Sequence, residues 1–311
     1  MSKVCFGIDV GGTFVKVGFF KDEKLDYVEQ IPTRTEDNGK WILDDIADAM
    51  KNILQMKQVN PEEVSGVGIG LPGPVTSDGR VLGCVNLGWG IMDMGALSEK
   101  FYDRPVYPLN DANAATLGEM WQAGDCKNMA FITLGTGVGG GMVADGRLIC
   151  GATGGAGEIG HFPVESQETD MCSCGKRGCL EQYCSATGVV RLAKKYIQEY
   201  ENTVLNNVAE ISAKDVFDGA KAGDECCLKI VDRFGDYLAK GCAYIASATN
   251  PEMIIIGGGV SKAGTIIIEA IEKYFKDYAF KPCAGVKFEM AKLGNEAGMY
   301  GCAYYVKSMT E

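Results

Sequence analysis

Val4-Cys-Phe-Gly-Ile-Asp-Val-Gly-Gly-Thr-Phe-Val-Lys-Val-Gly-Phe-Phe20 contains two runs rich in β-branched and aromatic residues, separated by two glycines and a threonine. Runs of this composition favour strands, and a short glycine turn between them favours a hairpin. We therefore predict a strand from Val4 to Val10, a tight turn at Gly11-Gly12-Thr13 and a returning strand from Val15 to Phe20.

The second half of the chain repeats this arrangement. A strand-like run from Met129 to Leu134 leads into Gly135-Thr-Gly-Val-Gly-Gly-Gly141, and Met142 to Ala144 can form a second strand. Two units of strand, glycine turn and strand in one chain predict a duplicated α/β domain. The length of 311 residues also fits about two domains.

Hydrophobic patterns place further strands and helices around these two units. Apolar residues fall on one face of a helix from Trp41 to Met56. Gly66-Val-Gly-Ile-Gly70 is a short buried strand, and Leu71-Pro-Gly-Pro74 ends it. The remaining predicted strands are Tyr27 to Thr33, Val106 to Leu109 and Met253 to Ile256, and the remaining predicted helices are Ala112 to Gln122, Ala186 to Tyr200, Ala213 to Ala222, Glu225 to Thr249 and Lys262 to Tyr278.

Composition restricts the partners of the chain. A net charge of -11 argues against contact with phosphate backbones or anionic lipid, because either partner needs a basic face. The first residues lack the apolar core of a signal peptide, and no apolar run approaches the ~18 residues of a membrane helix. We therefore expect a cytoplasmic protein with no nucleic-acid or membrane partner, and its 13 cysteines are expected to be reduced.

Two glycine-rich stretches have the composition of phosphate-binding loops. In Asp9-Val-Gly-Gly-Thr13, glycine N–H groups can approach phosphate oxygens, Thr13 adds a donor, and Asp9 can hold Mg²⁺ directly or through water. Such a stretch is also a common turn, but Gly135-Thr136-Gly137 repeats it, and two such loops can face one triphosphate. The chain has no G-x-x-x-x-G-K-[ST] motif, so this is not a P-loop. Gly257-Gly258-Gly259 can either admit an adenosine or form a strand-to-helix turn.

The single histidine, His161, lies a few residues before a polar segment with three cysteines. Those cysteines are Cys172, Cys174 and Cys179. One imidazole and three thiolates are the ligand set of a closed tetrahedral zinc site. Neither half of the pattern decides alone, but together they predict structural zinc. Glu158 and Glu181 flank the set, so the zinc would shape a pocket; four protein ligands leave no position at which water could be activated.

Asn110 and Asp111 follow the predicted strand Val106 to Leu109. Catalytic and binding groups commonly stand at that edge of an α/β sheet. An Asn-Asp pair at a strand end is also a common turn or helix cap, and the pair alone does not decide between the two.

Taken in order, these motifs resemble the ROK family of sugar kinases and repressors, within the actin-like and hexokinase-like ATPases. The resemblance covers nearly the whole chain and is carried by Gly7-Ile-Asp-Val-Gly-Gly-Thr13, Leu109-Asn-Asp-Ala-Asn-Ala114, Leu134-Gly-Thr-Gly-Val-Gly-Gly-Gly141, Gly157-Glu-Ile-Gly-His161 and Cys172-x-Cys174-Gly-x-x-Gly-Cys179-x-Glu181. Three further stretches look most like bacterial ROK glucokinases: Val85-Asn-Leu-Gly-Trp89, Gly118-Glu-Met-Trp121 and Ser185-Ala-Thr-Gly188.

The resemblance implies an α/β, two-domain actin-like or hexokinase-like (ribonuclease H-like) ATPase fold with an interdomain cleft. We expect a small α/β domain at 1–110, completed by a C-terminal helix at 296–311. A large α/β domain at 111–295 then carries the zinc loop and a helical part. The resemblance also implies a homodimer or homotetramer.

The resemblance assigns roles to individual residues as well. It implies that Asp111 is the general base, and that His161 is both a zinc ligand and a sugar contact. The implied sugar contacts are Asn110, Asp111, Glu158, His161 and Glu181, with Gly73 and Asn86 as weaker positions. The implied ligands of ATP and Mg²⁺ are Asp9, Gly11, Gly12, Thr13, Gly135, Thr136, Gly137, Gly257, Gly258 and Gly259. Phe14 stands where many relatives carry a polar residue, which leaves Lys16 open between a phosphate contact and a solvated strand lysine.

The implied activity is ATP-dependent phosphorylation of a hexose, first of all glucose to glucose 6-phosphate. A kinase acting on N-acetylmannosamine, N-acetylglucosamine or another hexose is the alternative. A sugar-responsive regulator of the ROK type is a second class, but such regulators carry an added N-terminal helix-turn-helix, whereas the first predicted strand here starts within ten residues. A third class, an actin-like ATPase in assembly or chaperoning, leaves Glu158, His161 and Glu181 without a purpose.

Overall fold

The computed structural model describes residues 4–76, 78–124 and 126–310. Contacts divide the chain into two units. The first unit consists of Met1–Asp125, Leu148–Ala156 and Asn295–Glu311, and the second of Cys126–Arg147 and Gly157–Gly294. No helix within the described ranges is both long and apolar enough to cross a membrane.

The first unit is built on a five-stranded mixed sheet. Its strands are β1 (Val4–Val10), β2 (Phe14–Lys21), β3 (Lys24–Pro32), β4 (Val64–Leu71) and β5 (Val106–Asn110), in the order β3-β2-β1-β4-β5. The predicted hairpin is confirmed, because β1 and β2 pair antiparallel from Val10 opposite Val15 to Val4 opposite Lys21. Strands β4 and β5 continue the sheet in parallel with β1. Polar residues that follow β1 and β5 therefore stand at the same edge of the sheet.

Helices cover the sheet of the first unit. They are α1 (Glu36–Gly39), α2 (Ile42–Lys57), α3 (Gly95–Lys100), α4 (Asp111–Ala123) and the C-terminal helix, labelled α10 (Ala297–Thr310). The apolar face of α2, which includes Ile46, Met50 and Ile53, is completely buried. It packs in one core with Phe6 and Phe19 of the hairpin, whose rings meet edge to face at 5.4 Å.

Helix α4 packs against α10 at unusually short range. A Cβ atom added at Gly301 would lie 1.6 Å from the carbonyl oxygen of Ala114, and one added at Gly118 would lie 2.1 Å from that of Ala297. Only glycines allow the two backbones to approach this closely. This contact places α4 in the first unit, so the division falls at residue 125 and not at the expected residue 110.

The second unit repeats the sheet of the first. Its strands are β6 (Met129–Leu134), β7 (Val138–Ala144), β8 (Arg147–Leu148), β9 (Met253–Gly257) and β10 (Lys287–Met290), in the order β10-β9-β6-β7-β8. An antiparallel hairpin of β6 and β7 is again followed by two parallel strands, β9 and β10. The predicted duplication is therefore visible in the strand order itself.

One boundary in this sheet differs from the sequence prediction. The turn was expected to span residues 135–141, but β7 begins at Val138 and its glycines pair with β6. A Cβ atom at Gly140 would lie 2.5 Å from both the carbonyl oxygen of Phe131 and a methyl group of Ile159. These glycines therefore serve close packing within the sheet, and the turn contains only Gly135-Thr136-Gly137.

Helices form most of the remaining second unit. They are α5 (Glu181–Cys184), α6 (Ala186–Tyr196), α7 (Ala213–Lys221), α8 (Glu225–Thr249) and α9 (Ile266–Tyr278). Ser212 caps α7 by accepting a hydrogen bond from the Asp215 amide. The buried face of α8, with Ile230, Phe234 and Leu238, lies at the centre of this core. The predicted helices starting at Ala186 and Lys262 are shorter than expected, because 3₁₀ turns occupy Ile197–Glu199 and Val260–Ala263.

Candidate active site

Asp9 lies at the end of β1 in a partly buried position. Burial raises the pKa of its carboxyl to about 6; the neighbouring Lys16 lowers it and Asp111 raises it. A Cβ atom at Gly298 in α10 would lie 2.9 Å from the Asp9 carboxyl carbon, so this glycine leaves room for the carboxylate. A charge that is costly to bury, placed near a second carboxylate, fits a group that binds a cation.

Lys16 stands directly opposite Asp9 in the β1–β2 ladder. Its Nζ donates a hydrogen bond to the carbonyl oxygen of Asn295, 2.7 Å away. The structure therefore gives Lys16 a third role that the sequence did not suggest. It links the hairpin to the start of α10 and balances the charge of Asp9.

The loop Gly11-Gly12-Thr13 closes the hairpin through a 3.0 Å hydrogen bond from the Gly11 amide to the carbonyl oxygen of Phe14. Thr33 supports it by donating its hydroxyl to the carbonyl oxygen of Gly11 at 2.7 Å. Gly12 and Thr13 are exposed. A Cβ atom at Gly12 would meet no described atom within 4 Å, so open space lies beside its backbone. An open glycine backbone of this kind can receive a phosphate oxygen.

Asn110 ends β5 and caps α4. Its Oδ1 accepts hydrogen bonds from the amides of Ala112 and Asn113, at 3.0 and 3.2 Å. Its Nδ2 donates to the carbonyl oxygen of Gly73 at 3.2 Å and to Asp111 Oδ1 at 3.0 Å. The side chain thus has protein partners for two acceptor and two donor positions, which is its full capacity. In this structure Asn110 positions its neighbours.

Asp111 is the first residue of α4 and is exposed. Its Oδ1 accepts hydrogen bonds from Asn110 Nδ2 and from the amide of Ala112, the latter at 2.8 Å. These two bonds fix the plane of the carboxylate at the edge of the sheet. The Asn-Asp pair can therefore be a helix cap and a catalytic pair at once, because the cap formed by Asn110 holds the Asp111 carboxylate in place.

Gly73 and Asn86, the two weaker predicted sugar contacts, differ in whether they contact Asn110 and Asp111. Gly73 contacts Asn110 through its carbonyl oxygen, and a Cβ atom there would lie 2.1 Å from the carbonyl oxygen of Gly83. Asn86 lies exposed in a single 3₁₀ turn, Val85–Leu87. The structure therefore joins Gly73 to the Asn110 and Asp111 group, and among the described residues no contact places Asn86 there.

In the second unit, the loop Gly135-Thr136-Gly137 is anchored to the start of α6. The amide of Ala186 donates to the carbonyl oxygen of Gly135 at 2.8 Å. The hydroxyl of Thr187 donates to the carbonyl oxygen of Thr136 at 3.0 Å. The Thr136 side chain is left exposed. A loop held by its carbonyl oxygens on one side can offer its N–H groups and hydroxyl to a ligand on the other.

Glu181 connects this loop to the cysteine segment. Its Oε2 accepts a hydrogen bond from the Val138 amide at 3.0 Å, and its Oε1 accepts one from the Ser173 hydroxyl at 3.3 Å. A Cβ atom at Gly137 would lie 2.4 Å from the same Oε2, so the carboxylate would have to shift to admit a side chain there. The predicted sugar contact therefore also supports the Gly135-Thr136-Gly137 loop.

Glu158 precedes a single 3₁₀ turn, Ile159–His161, that ends at His161 and packs on β7. A Cβ atom at Gly160 would lie 2.1 Å from the carbonyl oxygen of Val138, which shows how closely the turn approaches the strand. The side chain of Ile159 is buried, whereas Glu158 is exposed and His161 is half-buried. Glu158 thus remains accessible to a ligand.

His161 forms a compact cluster with the three cysteines. The four ligand atoms of His161, Cys172, Cys174 and Cys179 all lie within 4.8 Å of one another. His161 Nδ1 is 3.7 Å from Cys172 Sγ, and the Sγ atoms of Cys174 and Cys179 are 3.6 Å apart. Zn–S bonds of about 2.3 Å in a tetrahedron separate two sulfurs by roughly 3.8 Å, so the set fits a metal of this size. The cluster uses Nδ1, which leaves Nε2 as the other ring nitrogen.

The three glycines that follow β9 have different surroundings. Gly257 packs against the ring of Phe131, and Gly258 has a φ of +85°, with its Cα beside the backbone of Leu134. Structural packing explains both residues. Only Gly259 has no described atom within 4 Å of an added Cβ, so it alone retains the open approach expected for an adenosine.

The sequence analysis assigned no role to Asn113, although it quoted the motif that contains it. Asn113 is 3% exposed, and its Oδ1 has no hydrogen-bond partner among the described residues. Buried amide oxygens are nearly always paired with protein or water. The only available signal was the polar residue itself on the apolar side of α4, two residues after Asp111.

Comparison with known proteins identifies the family of the chain. Residues 5–309 match the model of the ROK family. The chain belongs to the ROK family. A glucokinase from Halalkalibacterium halodurans is 43% identical over 97% of the chain and 94% of its own length.

Solved structures agree with this membership. The ROK hexokinase from Thermus thermophilus superposes with a TM-score of 0.83 at 29% identity, over 100% of both chains. A ROK family glucokinase from Streptomyces griseus, in complex with glucose and AMPPNP, gives a TM-score of 0.75 at 29% identity, over 98% of this chain and 99% of the other. The fold is thus the actin-like and hexokinase-like α/β fold of ROK sugar kinases.

Proposed function

We propose that this ROK protein is an ATP-dependent kinase that converts glucose to glucose 6-phosphate. Family membership and the glucokinase relative at 43% identity support a sugar kinase of this specificity. The observation that carries the proposal is the placement of Asp111, a carboxylate fixed at a sheet edge by Asn110 Nδ2 and the Ala112 amide.

Asp111 acts as the general base. The 6-hydroxyl of the sugar attacks the γ-phosphorus of ATP, its proton passes to the Asp111 carboxylate, and ADP leaves. Asn110 does not touch the sugar in this scheme. It holds Asp111 in the orientation that the proton transfer requires, because its own side chain has no hydrogen-bonding position left.

The two glycine loops bind the phosphates of ATP. The open backbone at Gly12 and the exposed hydroxyls of Thr13 and Thr136 supply donors to phosphate oxygens. Asp9 holds Mg²⁺, directly or through water, and its partly buried carboxylate fits this task. When bound, the ion neutralises charge on the phosphate oxygens during transfer.

The sugar is recognised by Glu158, His161 and Glu181. His161 Nδ1 and the three cysteines would hold zinc, which would fix the imidazole and leave Nε2 for a sugar hydroxyl. The metal braces the pocket and takes no part in the chemistry. Because Glu181 also accepts from the Val138 amide, sugar recognition and the second phosphate loop share one side chain.

Incubation with Mg-ATP and a panel of hexoses tests the proposal directly. We expect ADP release that depends on glucose and exceeds that with mannose, fructose, N-acetylglucosamine or N-acetylmannosamine. A stronger response to an N-acetylated sugar would replace glucose with the alternative kinase activity. No sugar-dependent release at all, with hydrolysis of ATP alone, would refute the sugar kinase. Asp48→Asn, at an exposed position of α2, serves as the matched control for changes at Asp111.

The proposal places the reaction in the cytoplasm, where ATP is supplied, and includes a homodimer or homotetramer. Light scattering coupled to size exclusion gives the mass of the assembly, and a monomer would refute this part of the proposal.

A further inference from the structure

A cavity of about 520 Å³ lies in the second unit, and none of its lining residues is assigned above to ATP, sugar or zinc. Its walls are the segment 165–170, the C-terminal half of α6 and part of α8. This volume lies in the range of pockets that hold small metabolites. The nature of its walls indicates which kind of metabolite it fits.

Four cations line the cavity in an otherwise acidic chain. Arg191, Lys194 and Lys195 are spaced i, i+3 and i+4 on α6, so they share one face of that helix. Arg233 of α8 adds a fourth. Like charges at these spacings repel one another, and a bound anion relieves the repulsion. Both lysines are exposed, and within the described ranges neither forms an ion pair.

The two arginines are held rigidly. The rings of Tyr183 and Tyr237 stack with their centres 4.0 Å apart. A guanidinium lies over each ring: Arg191 Cζ is 5.5 Å from the centre of the Tyr183 ring, and Arg233 Cζ is 5.0 Å from the centre of the Tyr237 ring. Arg191 is fixed further by Nη2, which donates to Glu168 at 2.7 Å. Donors held in place before binding lose little entropy when an anion arrives.

Carboxylates form another part of the wall. Glu165 accepts a hydrogen bond from the Tyr237 hydroxyl at 3.0 Å, and Glu168 accepts one from the Tyr183 hydroxyl. The pKa of Glu168 is lowered to about 2, because hydrogen bonds from Tyr183, Asp170 and Arg191 outweigh its desolvation. Glu168 already accepts four hydrogen bonds, from the amides of Thr169 and Asp170, the Tyr183 hydroxyl and Arg191. Glu165 accepts one bond on each carboxylate oxygen and keeps acceptor positions, which suits a ligand with hydroxyl groups as well as an anionic end.

We propose that this cavity binds a small phosphorylated sugar. Its phosphate lies against Lys194 and Lys195, beside Arg191, which Glu168 and Asp170 already pair, and its hydroxyls face Glu165. A nucleotide fits less well, because the two tyrosine rings stack on each other, with exposures of 4% and 5%, and offer no free face to a base.

Occupation of the cavity can influence the phosphate loop through one helix. The residues that would hold the phosphate lie near the end of α6, and Thr187 at its start donates to the carbonyl oxygen of Thr136. The segment 165–170 also precedes the cysteine ligands directly. A phosphorylated sugar in the cavity would thus act as a regulator of the proposed kinase.

Equilibrium dialysis of the zinc-loaded full chain with labelled glucose 6-phosphate tests the site. Saturating unlabelled glucose is present throughout, so that under the proposed function the sugar site is blocked. We expect binding that persists under these conditions and is at least about tenfold tighter than that of inorganic phosphate. In Lys194→Ala/Lys195→Ala, the Kd should rise at least about tenfold, since two charge-assisted contacts are lost.

The control is Lys221→Ala/Lys276→Ala, which removes the same charge from exposed helix ends of the second unit. It should bind like the original protein. Absence of binding, an unchanged Kd in Lys194→Ala/Lys195→Ala, or equal affinity for inorganic phosphate would each overturn the assignment. Because the measurement needs no turnover, its result is separate from the test of the kinase activity.

Discussion

Asp9 and Asp111 stand at the ends of two strands of one sheet, yet their surroundings suit different chemical tasks. Asp9 is partly buried and its pKa is raised to about 6, whereas Asp111 is exposed and is fixed by two hydrogen bonds on one oxygen. A carboxylate that is costly to leave unpaired fits a cation ligand, and an accessible one with a fixed plane fits proton transfer. The roles of single residues thus follow from burial and partners, not from residue type.

The first prediction concerns Asp111→Asn. The amide oxygen can still accept the hydrogen bonds that Oδ1 now receives, so the fold and the affinity for glucose should remain. Turnover should fall by about 10²-fold or more, the usual scale for removal of a general base. A coupled ADP assay and a glucose titration measure the two quantities, with Asp48→Asn as control. Full activity of Asp111→Asn would remove Asp111 from its role.

The second prediction concerns the cost of keeping Asp9 charged. Its folded pKa of about 6 lies above the ordinary 3.8, so the folded state holds this proton more tightly. The free energy of unfolding should therefore fall, by roughly 3 kcal/mol at most, as the pH rises from about 4 to about 6. Above about pH 6 it should stay level. Asp9→Asn avoids this cost and should be more stable at pH 8 without nucleotide, while losing Mg-ATP binding.

Urea denaturation of both proteins between about pH 4 and pH 8 gives the comparison. Other carboxylates affect both proteins alike, so only the difference between them reports Asp9. A difference that does not change with pH would contradict the raised pKa.

Among the helices, the close packing of α4 against α10 positions the proposed active-site residues Asp9 and Asp111. Gly118 and Gly301 allow the helix that begins at Asp111 to lie against the helix whose Gly298 faces Asp9. Both proposed functional carboxylates are therefore held by the same helix pair. The sequence could not predict this, because the glycines that meet lie far apart in the chain and neither interrupts its helix pattern.

The third prediction separates packing glycines from ligand-binding glycines. Gly301→Ala would place a methyl group 1.6 Å from the carbonyl oxygen of Ala114, so the helices must separate, at a cost of about 3 kcal/mol or more. Gly12→Ala meets no described atom within 4 Å and should change stability by less than about 1 kcal/mol, while weakening Mg-ATP binding. Equal loss of stability in both variants, by urea denaturation, would refute the distinction.

The fourth prediction concerns the cysteine cluster. Cys174→Ser removes one of four ligands, so bound zinc and glucose affinity should fall together, because His161 loses its fixed orientation. Metal analysis and calorimetry measure the two losses. Cys126→Ser, at a half-buried cysteine outside the cluster, should change neither. A Cys174→Ser protein that loses zinc but binds glucose normally would show that the metal does not brace the pocket.

Over the whole molecule, local hydrophobic periods predicted the duplication and most strands and helices, but not the short elements α1, α3, α5, β8 and β10. The sequence also predicted the cluster of His161 and three cysteines, since thiolates and imidazole in one short segment have few other uses. The sequence did not predict the roles of residues whose hydrogen-bond partners lie far away in the chain. Lys16 pairs with a carbonyl 279 residues away, and Asn110 is saturated by Gly73 and the start of α4. The role of such residues is set by partners that no local pattern reveals.

The last prediction uses the stability of the whole chain to separate binding from catalysis. A ligand that binds only the folded state stabilises it by about 2.7 kcal/mol at 100 times its Kd. Glucose should therefore raise the Tm of the original protein and of Asp111→Asn alike, because Asp111 moves a proton and is not needed for most of the affinity. His161→Ala should lose this shift, since it loses a sugar contact and a metal ligand together. A Tm raised equally by glucose in His161→Ala would separate the metal cluster from sugar recognition, even if turnover were lost.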